Sequence, residues 1–581
     1  MSRPAGVVLA VLYLLLGAAA LRGSVLGLFL VLAAVAAEEE LLVLRRSPLL
    51  RRLGGVQLGG SLRLVVRSGL LLVLVARHGD APRGLLATTL AALVLHHALR
   101  TAGLLAQRTV TQRTVWPLRW RHLKVPGLAV PAEARVPGLV RTLGPHVVVN
   151  LDLVVVAGVA LTLARSSLLW VAVASGVALV VDAAVALALR ARARELPDRT
   201  REDVVAAVRD ALEAVAPRVV IYFGGPPSST HALNVWAPVL EQLDVPVLVM
   251  VRQREHLERL ASRRLPAVWA PRATDVEELA VPSLDLALYP TNIAQNNHLL
   301  RVPGILDVFV GHGDSDKGGS FTPLSRIYDE VWVAGPAGRD RYRLADVGVR
   351  DEQIREVGRP QLAEIARTGA ASRPADAPFT VLYAPTWEGF YATYSYSSLA
   401  VMGERLVAAL LDLEGVRVLV KPHPASGSVD PRYAAAARAV ERLARDAGPE
   451  HGVVSGLTGL YQAFNEADML VTDVSSVVTD FLWSGKPYAM TNPSALPDDE
   501  YRARFPSSAG AALWAPDLAT LREDVQDART TDRRRAAREA VARYLLGPVG
   551  GDPVEPFVVA VAEALDRANS RKPARVGLWQ Q

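Results

Sequence analysis

The sequence predicts a helical membrane-spanning region followed by an α/β half built from two doubly wound sheets. Three observations carry that expectation. The apolar content, 51% of 581 residues with a mean hydropathy of +0.22, is high for a protein without membrane segments. Almost all of the excess lies before residue 191, in Leu-, Val- and Ala-rich runs broken by short arginine-containing segments. From about Arg201 short apolar runs alternate with amphipathic stretches, the pattern of strands and crossover helices.

In the first half, the run from Val7 to Ala37 is too long for one untilted span and carries Arg22 and Gly23 at its centre. It reads as a hairpin of two short spans, with a cleaved signal peptide as the alternative. Further spans are expected near Leu62 to Ala76, Leu85 to Leu99, His146 to Leu163 and Leu168 to Leu189, which gives about six helices over residues 1–194. The arginine-rich loops at 44–53, 100–124 and 190–194 place those loops on the cytoplasmic side, leaving 77–83 outside. Trp116 and Trp120, interleaved with Arg119, Arg121 and Lys124, suit a segment at lipid headgroup level or a solvated loop. Asn150, Asp152 and Asp182 fall within the expected spans, where carboxylates mark transport paths or face a neighbouring helix.

The net charge of +6 is modest, and the arginines are dispersed, so no nucleic-acid stripe stands out and membrane lipid is the expected anionic partner. The absence of cysteine removes disulfides, thiolate catalysis and Cys-ligated zinc together.

Residues 195–215 read as a linker, 216–365 as a first α/β domain, 375–568 as a second, and 569–581 as a tail. Strands are expected at 218–226, 245–252, 284–291, 307–313 and 330–336, then at 379–387, 416–424, near 453, 467–476 and 486–490. Two such blocks in tandem face each other across a cleft, and ligands of doubly wound sheets bind at the carboxyl ends of the strands. The unusual polar residues fall at those ends.

GHGDSDK, from Gly311, follows the strand DVFV, so His312 emerges at a strand end as a candidate general base. The flanking glycines let a ligand approach the backbone, and Lys317 is placed to stabilise a phosphate. Asp314 and Asp316 form a D-x-D that could hold a divalent cation or be neutralised by a neighbouring cation; no cofactor is expected. APTWEG, with Thr386 and Trp387, ends the first strand of the second block. KPHP, with Lys421 and His423, ends the next and can neutralise a diphosphate. VTDVSSVVTD places Ser475 and Ser476 where a strand turns into a helix, either to donate to a bound anion or as plain N-cap residues.

His-Gly with a downstream lysine, A-P-T-W, a histidine at a strand end and D-x-S-S-x-x-x-D together resemble the CDP-glycerol:poly(glycerophosphate) glycerophosphotransferase family, the teichoic-acid primases and polymerases, over roughly residues 215–500. The chain departs from the family pattern at Gly311 and Asp314 around the first histidine. The resemblance implies a GT-B fold, a CDP-linked polyol phosphate donor and a membrane-bound acceptor, with no metal. It implies that His312 is the base and His423 the phosphate-binding or leaving-group histidine. Lys317, Thr386, Trp387, Lys421, Asp473, Ser475, Ser476 and Asp480 become the candidate donor-binding residues.

The expected protein is a multi-pass enzyme of a bacterial inner membrane, its transferase module cytoplasmic, moving a polyol phosphate to a lipid-linked or polymeric cell-envelope acceptor. A GT-B glycosyltransferase using a nucleotide sugar is the enzymatic alternative. A non-catalytic nucleotide-binding scaffold or transporter is the alternative of another class.

Overall fold

The computed structural model describes residues 3–23, 60–114, 117–128, 151–196, 200–316, 321–367, 377–389, 396–454 and 459–570. Two compact units emerge, Met1–Pro117 with Leu128–Val204 and Leu118–Gly127 with Val205–Gln581.

The first unit is helical. Its helices are α1 (Arg3–Leu21), α2 (Gly60–Arg77), α3 (Leu85–Thr114), α4 (Asp152–Arg165) and α5 (Leu169–Glu195). They share a core that includes Leu16, Leu71, Leu93, Val155 and Val171. Past α1 the chain turns at Gly23, whose φ of +64° favours glycine. The second arm of the expected hairpin lies outside the described residues.

Among the described residues two helices are long and apolar enough to cross a membrane, Leu85–Val110 and Leu169–Glu195, where about six spans were expected. The physical reasons are plain in two cases. The 18 residues of α2 include Arg63, Arg67 and Arg77. The 14 residues of α4 rise only about 21 Å against a hydrocarbon core of about 30 Å. Residues 100–114, expected as the start of an arginine-rich loop, continue α3.

Within its apolar core this unit buries two charged pairs, and apolar side chains also stand on its outer face. Arg67 donates to Asp152 at 3.0 Å, stitching α2 to α4, and His96 Nδ1 lies 2.5 Å from Asp182, stitching α3 to α5; all four side chains are buried. Leu90, Val94, Leu105, Val173, Val180 and Leu187 are exposed on α3 and α5. An apolar outer face around paired charges is what an apolar solvent requires. Asp152 and Asp182, weighed above as transport residues, are held by helix-to-helix partners, and Asn150 lies outside the described residues.

The second unit holds two sheets. The first has eight strands: β1 (Arg119–Arg121), β2 (Val219–Phe223), β3 (Val247–Val251), β4 (Ala267–Trp269), β5 (Leu286–Tyr289), β6 (Leu306–Phe309), β7 (Glu330–Val333) and β8 (Ile354–Glu356). Their spatial order is β1-β4-β3-β2-β5-β6-β7-β8, parallel except for the β1–β4 pair. The second has six: β9 (Phe379–Ala384), β10 (Val416–Val420), β11 (Gly452–Val453), β12 (Met469–Thr472), β13 (Tyr488–Thr491) and β14 (Ala512–Trp514), in the parallel order β11-β10-β9-β12-β13-β14. Strands β2, β3 and β5 are apolar on both faces because helices cover both. The helices that matter below are α6 (Pro336–Ala345), α7 (Ser476–Leu482) and α8 (Glu555–Asn569).

Several features depart from the expectation. β1 belongs to the stretch read as a lipid-interfacial segment. Arg119, Trp120 and Arg121 pair with Trp269, Val268 and Ala267, and Arg121 donates to the carbonyls of Leu257 and Leu260 at 2.9 and 3.0 Å. The arginine-tryptophan alternation is thus a short antiparallel edge strand of an α/β sheet; Trp116 lies outside the described residues. The segment read as a linker contains a helix, Arg201–Val215, that buries Val204, Val208 and Leu212. The carboxyl-terminal helix α8, placed by sequence with the second block, returns to the first sheet. Phe557, Val561 and Leu565 share a core with Val219, Val249 and Leu288, and Phe557 packs on Trp236 and Trp332.

Candidate active site

Among the parallel strands of each sheet the order reverses once, between β2 and β5 and between β9 and β12. Chains leaving neighbouring strands at such a point diverge to opposite faces and open a crevice at the carboxyl ends. By that rule the residues that follow β2, β5 and β6 form one strand-end group, and those that follow β9, β10 and β12 form the other.

His312 comes three residues after β6. Gly311, at φ +62°, turns the chain, and Trp236 Nε1 donates to its carbonyl at 2.7 Å, which pins the loop. His312 Nδ1 lies 2.9 Å from the carbonyl oxygen of Pro290. A carbonyl can only accept, so Nδ1 carries the proton and neutral His312 presents a lone pair at Nε2. Desolvation by the surrounding protein lowers its pKa; the Pro290 carbonyl opposes that, and His231 and Arg359 add to it. The residue as a whole remains exposed. His231, from the loop after β2, meets the His312 ring edge-on with centroids 5.6 Å apart, and burial lowers its pKa too. Sequence reading passed over His231, although the strand-end rule applied to GGPPSSTH after β2 would have found it.

The two acidic residues of the loop have cationic partners. Asp314 and Asp316 both pair with Arg341 of α6, Asp316 at 2.5 Å, and Asp316 also accepts from the Ser507 backbone N–H at 2.8 Å. Arg341 is therefore the neighbouring cation that neutralises the pair, and Lys317 lies outside the described residues. Among the described residues no three His, Asp or Glu side chains converge as a metal site.

The loop reaches the second sheet. A Cβ added at Gly313 would stand 3.3 Å from Ser476 Cβ and 3.4 Å from its Oγ, so the histidine loop lies against the start of α7. Ser475 occupies the N-cap position of that short helix in an extended conformation, yet its side chain caps no backbone N–H. Its Oγ is 3.5 Å from Thr472 Oγ1. The plain N-cap alternative is not the arrangement seen.

On the neighbouring strands, Lys421 follows β10. It is 8% exposed, and among the described residues its ammonium has no carboxylate or hydrogen-bond partner, so burial holds its pKa below the ordinary lysine value. A partly desolvated ammonium without a counter-charge favours a bound anion. His423 accepts from the Ala425 backbone N–H through Nδ1 at 3.1 Å, so its Nε2 must carry a proton. Trp387 lies nearly parallel to it, with centroids 6.2 Å apart. Glu388, not singled out by sequence, shapes the loop beyond KPHP by accepting from Gly427, Val429 and Asp430 N–H groups at 3.0, 3.0 and 3.2 Å. Burial alone would raise its pKa; those N–H groups hold it below the ordinary carboxylate value.

Asp473 and Asp480 are differently placed from the serines beside them. Asp473 is fully buried and accepts from the Thr386 N–H at 2.7 Å, from the Ser398 N–H at 3.2 Å and from the Thr491 hydroxyl. Asp480 is gripped by Arg359 and by the Tyr461 hydroxyl at 3.0 Å. Their carboxylates hold the protein, and Thr386 is held by its backbone, so these three serve the frame of the strand ends from which Lys421, His423, Ser475 and Ser476 emerge.

Residues 346–502 match the family model described as CDP-Glycerol:Poly(glycerophosphate) glycerophosphotransferase. No curated protein matches the chain. Among solved structures, the wall teichoic acid polymerase TagF is similar at 14% identity with a TM-score of 0.42, over 63% of this chain and 94% of that one. HepE of Anabaena, in complex with UDP and glucose, is similar at 13% identity with a TM-score of 0.40, over 60% of this chain and 100% of that one. The matched stretch runs from β8 through β13 and contains KPHP and VSS, and over that stretch the chain is similar to the CDP-glycerol glycerophosphotransferases.

Proposed function

We propose that the chain moves a polyol phosphate from a CDP-linked donor to a hydroxyl of a lipid-linked or polymeric cell-envelope acceptor at a membrane surface. The observation that carries this reading is the contact of Gly313 with Ser476, which brings a histidine with a lone pair at Nε2 to the edge of an anion-ready crevice. His312 Nε2 takes the proton of the acceptor hydroxyl. The acceptor oxygen bonds to the β-phosphorus, the bridging P–O bond breaks, and the electron pair leaves on CMP. The Lys421 ammonium, the His423 Nε2–H and the Ser475 and Ser476 hydroxyls offset the charge on that leaving phosphate, as donors placed before the reaction.

Arg341 supports a metal-independent loop, because it occupies Asp314 and Asp316. The two apolar helices with outward-facing Leu and Val support attachment to a membrane, and with it an acceptor carried by lipid. The test is incorporation of radiolabel into the lipid fraction by membranes containing the full chain, with CDP-glycerol, other CDP-polyols and UDP-sugars supplied in turn. Label from a CDP-polyol is expected. Label only from a UDP-sugar would replace this reading with glycosyl transfer, and no label from any donor would leave nucleotide binding without chemistry.

A further inference from the structure

A second polar cavity opens on the first sheet, away from His312. It holds about 380 Å³ and is lined by Arg252, Gln253, Trp269, Pro271 and Gln295, with Arg254 and Glu255 also on its wall. These residues follow β3, β4 and β5, so the cavity lies over the same carboxyl edge of the sheet. From β6 to β3 is three strand spacings, about 15 Å at about 4.8 Å each.

The cavity is built rather than incidental. Gly224, just after β2, lets the Arg252 stem lie across the strand end: a Cβ there would stand 3.0 Å from Arg252 Cγ and 3.1 Å from Gln295 Cβ. Arg252 Nη1 donates to the Ala270 carbonyl at 2.9 Å, and Trp269 Nε1 donates to the Arg252 carbonyl at 3.2 Å. The Tyr222 hydroxyl holds the Gln295 carbonyl at 3.0 Å. Against this fixed frame, Arg252 Nε is buried without a partner. No carboxylate among the described residues pairs with Arg252, whereas Arg254 is taken by Glu258 at 2.6 Å. The side-chain amides of Gln253 and Gln295 likewise make no hydrogen bond within the described protein.

A fixed guanidinium with spare N–H groups suits a phosphate, side-chain amides suit hydroxyls, and an indole wall suits the C–H face of a polyol. We propose that this cavity is an acceptor subsite that takes a phosphodiester and its adjoining polyol, upstream of the hydroxyl that reacts at His312. The inference rests on the transferase reading above and assigns the part of the acceptor that reading leaves open. Glu255 would set a limit on affinity by opposing the phosphate.

The test uses the full chain in nanodiscs with the nucleotide site saturated by CDP, and equilibrium dialysis of radiolabelled glycerophosphoglycerol as the probe. Arg252→Ala should weaken binding at least tenfold, Gln295→Ala about threefold, and Glu255→Gln should strengthen it. In turnover, Arg252→Ala should raise the acceptor KM at least tenfold while the donor KM stays within twofold. Equal binding of the diester by the parent chain and by Arg252→Ala and Gln295→Ala overturns the subsite, as does an unchanged acceptor KM. Failure of the parent chain to use CDP-glycerol would instead remove the transferase reading, and the dialysis would still decide whether the cavity binds the diester.

Discussion

The two histidines at the strand ends are the same side chain held in opposite tautomers by a backbone neighbour. His312 gives its Nδ1 proton to the Pro290 carbonyl and so offers a lone pair at Nε2. His423 receives the Ala425 N–H at Nδ1 and so carries its proton at Nε2. The first arrangement suits taking a proton from an acceptor, the second suits donating to a leaving phosphate. Residue type alone sets neither tautomer; the hydrogen bond at Nδ1 does.

The largest expected effect breaks the first half of that contrast. His312→Ala should lower turnover by about two to four orders of magnitude, the usual weight of a general base. Because the histidine must be neutral to act and its pKa is held below the ordinary value of about 6.5, kcat/KM should rise with pH along an acid limb below that value. His231 helps hold that pKa down, so His231→Gln should move the limb to higher pH. A limb that does not move would leave His231 as packing.

Next in size is the phosphate side. Lys421→Met should weaken CDP affinity about tenfold or more, through loss of the only unpaired ammonium described at β10. It should not weaken the fold. A lysine whose folded pKa is depressed costs stability while charged in both states, and that cost fades as pH rises from the folded toward the unfolded value. At neutral pH the substitution therefore should keep or raise the melting temperature, and a lowered melt with intact CDP affinity would make Lys421 a structural residue.

Asp473→Ala inverts that pattern. It strips a buried acceptor from Thr386, Ser398 and Thr491 and should cost about 1–3 kcal/mol or more in denaturant unfolding, since each orphaned buried donor carries its desolvation penalty. The smallest change in stability is expected for Ser475→Ala. Its side chain caps no N–H, so the usual cap loss of about 0.5–2 kcal/mol should be absent while CDP affinity falls.

How much of this could be read in the sequence follows from which forces act locally. The apolar strands and the polar residues at their ends are legible because period and position carry them. β1 is not, because Arg-Trp-Arg is too short for its alternation to outweigh its charge. The partner of α8 is not, because an amphipathic stripe specifies that a face is buried and not what covers it. Asp473 and Ser475 sit two residues apart in one motif, yet one is committed to backbone donors and the other is not, a distinction made by β9 and β13 from far along the chain. The reading of α2 and α4 as spans shows the same limit. Hydropathy summed α2 and α4 with their neighbours, while Arg67 and Asp152 face each other inside the bundle.

The central claim is the opposition of the two histidines, and single-turnover transfer from radiolabelled CDP-glycerol tests it most directly in the parent chain, His312→Gln and His423→Gln. Glutamine can donate from its amide but cannot take up a proton near neutral pH. The account predicts that His312→Gln is as inactive as His312→Ala, whereas His423→Gln keeps measurably more transfer than His423→Ala. Transfer that survives in His312→Gln and is lost equally in both His423 variants would contradict it.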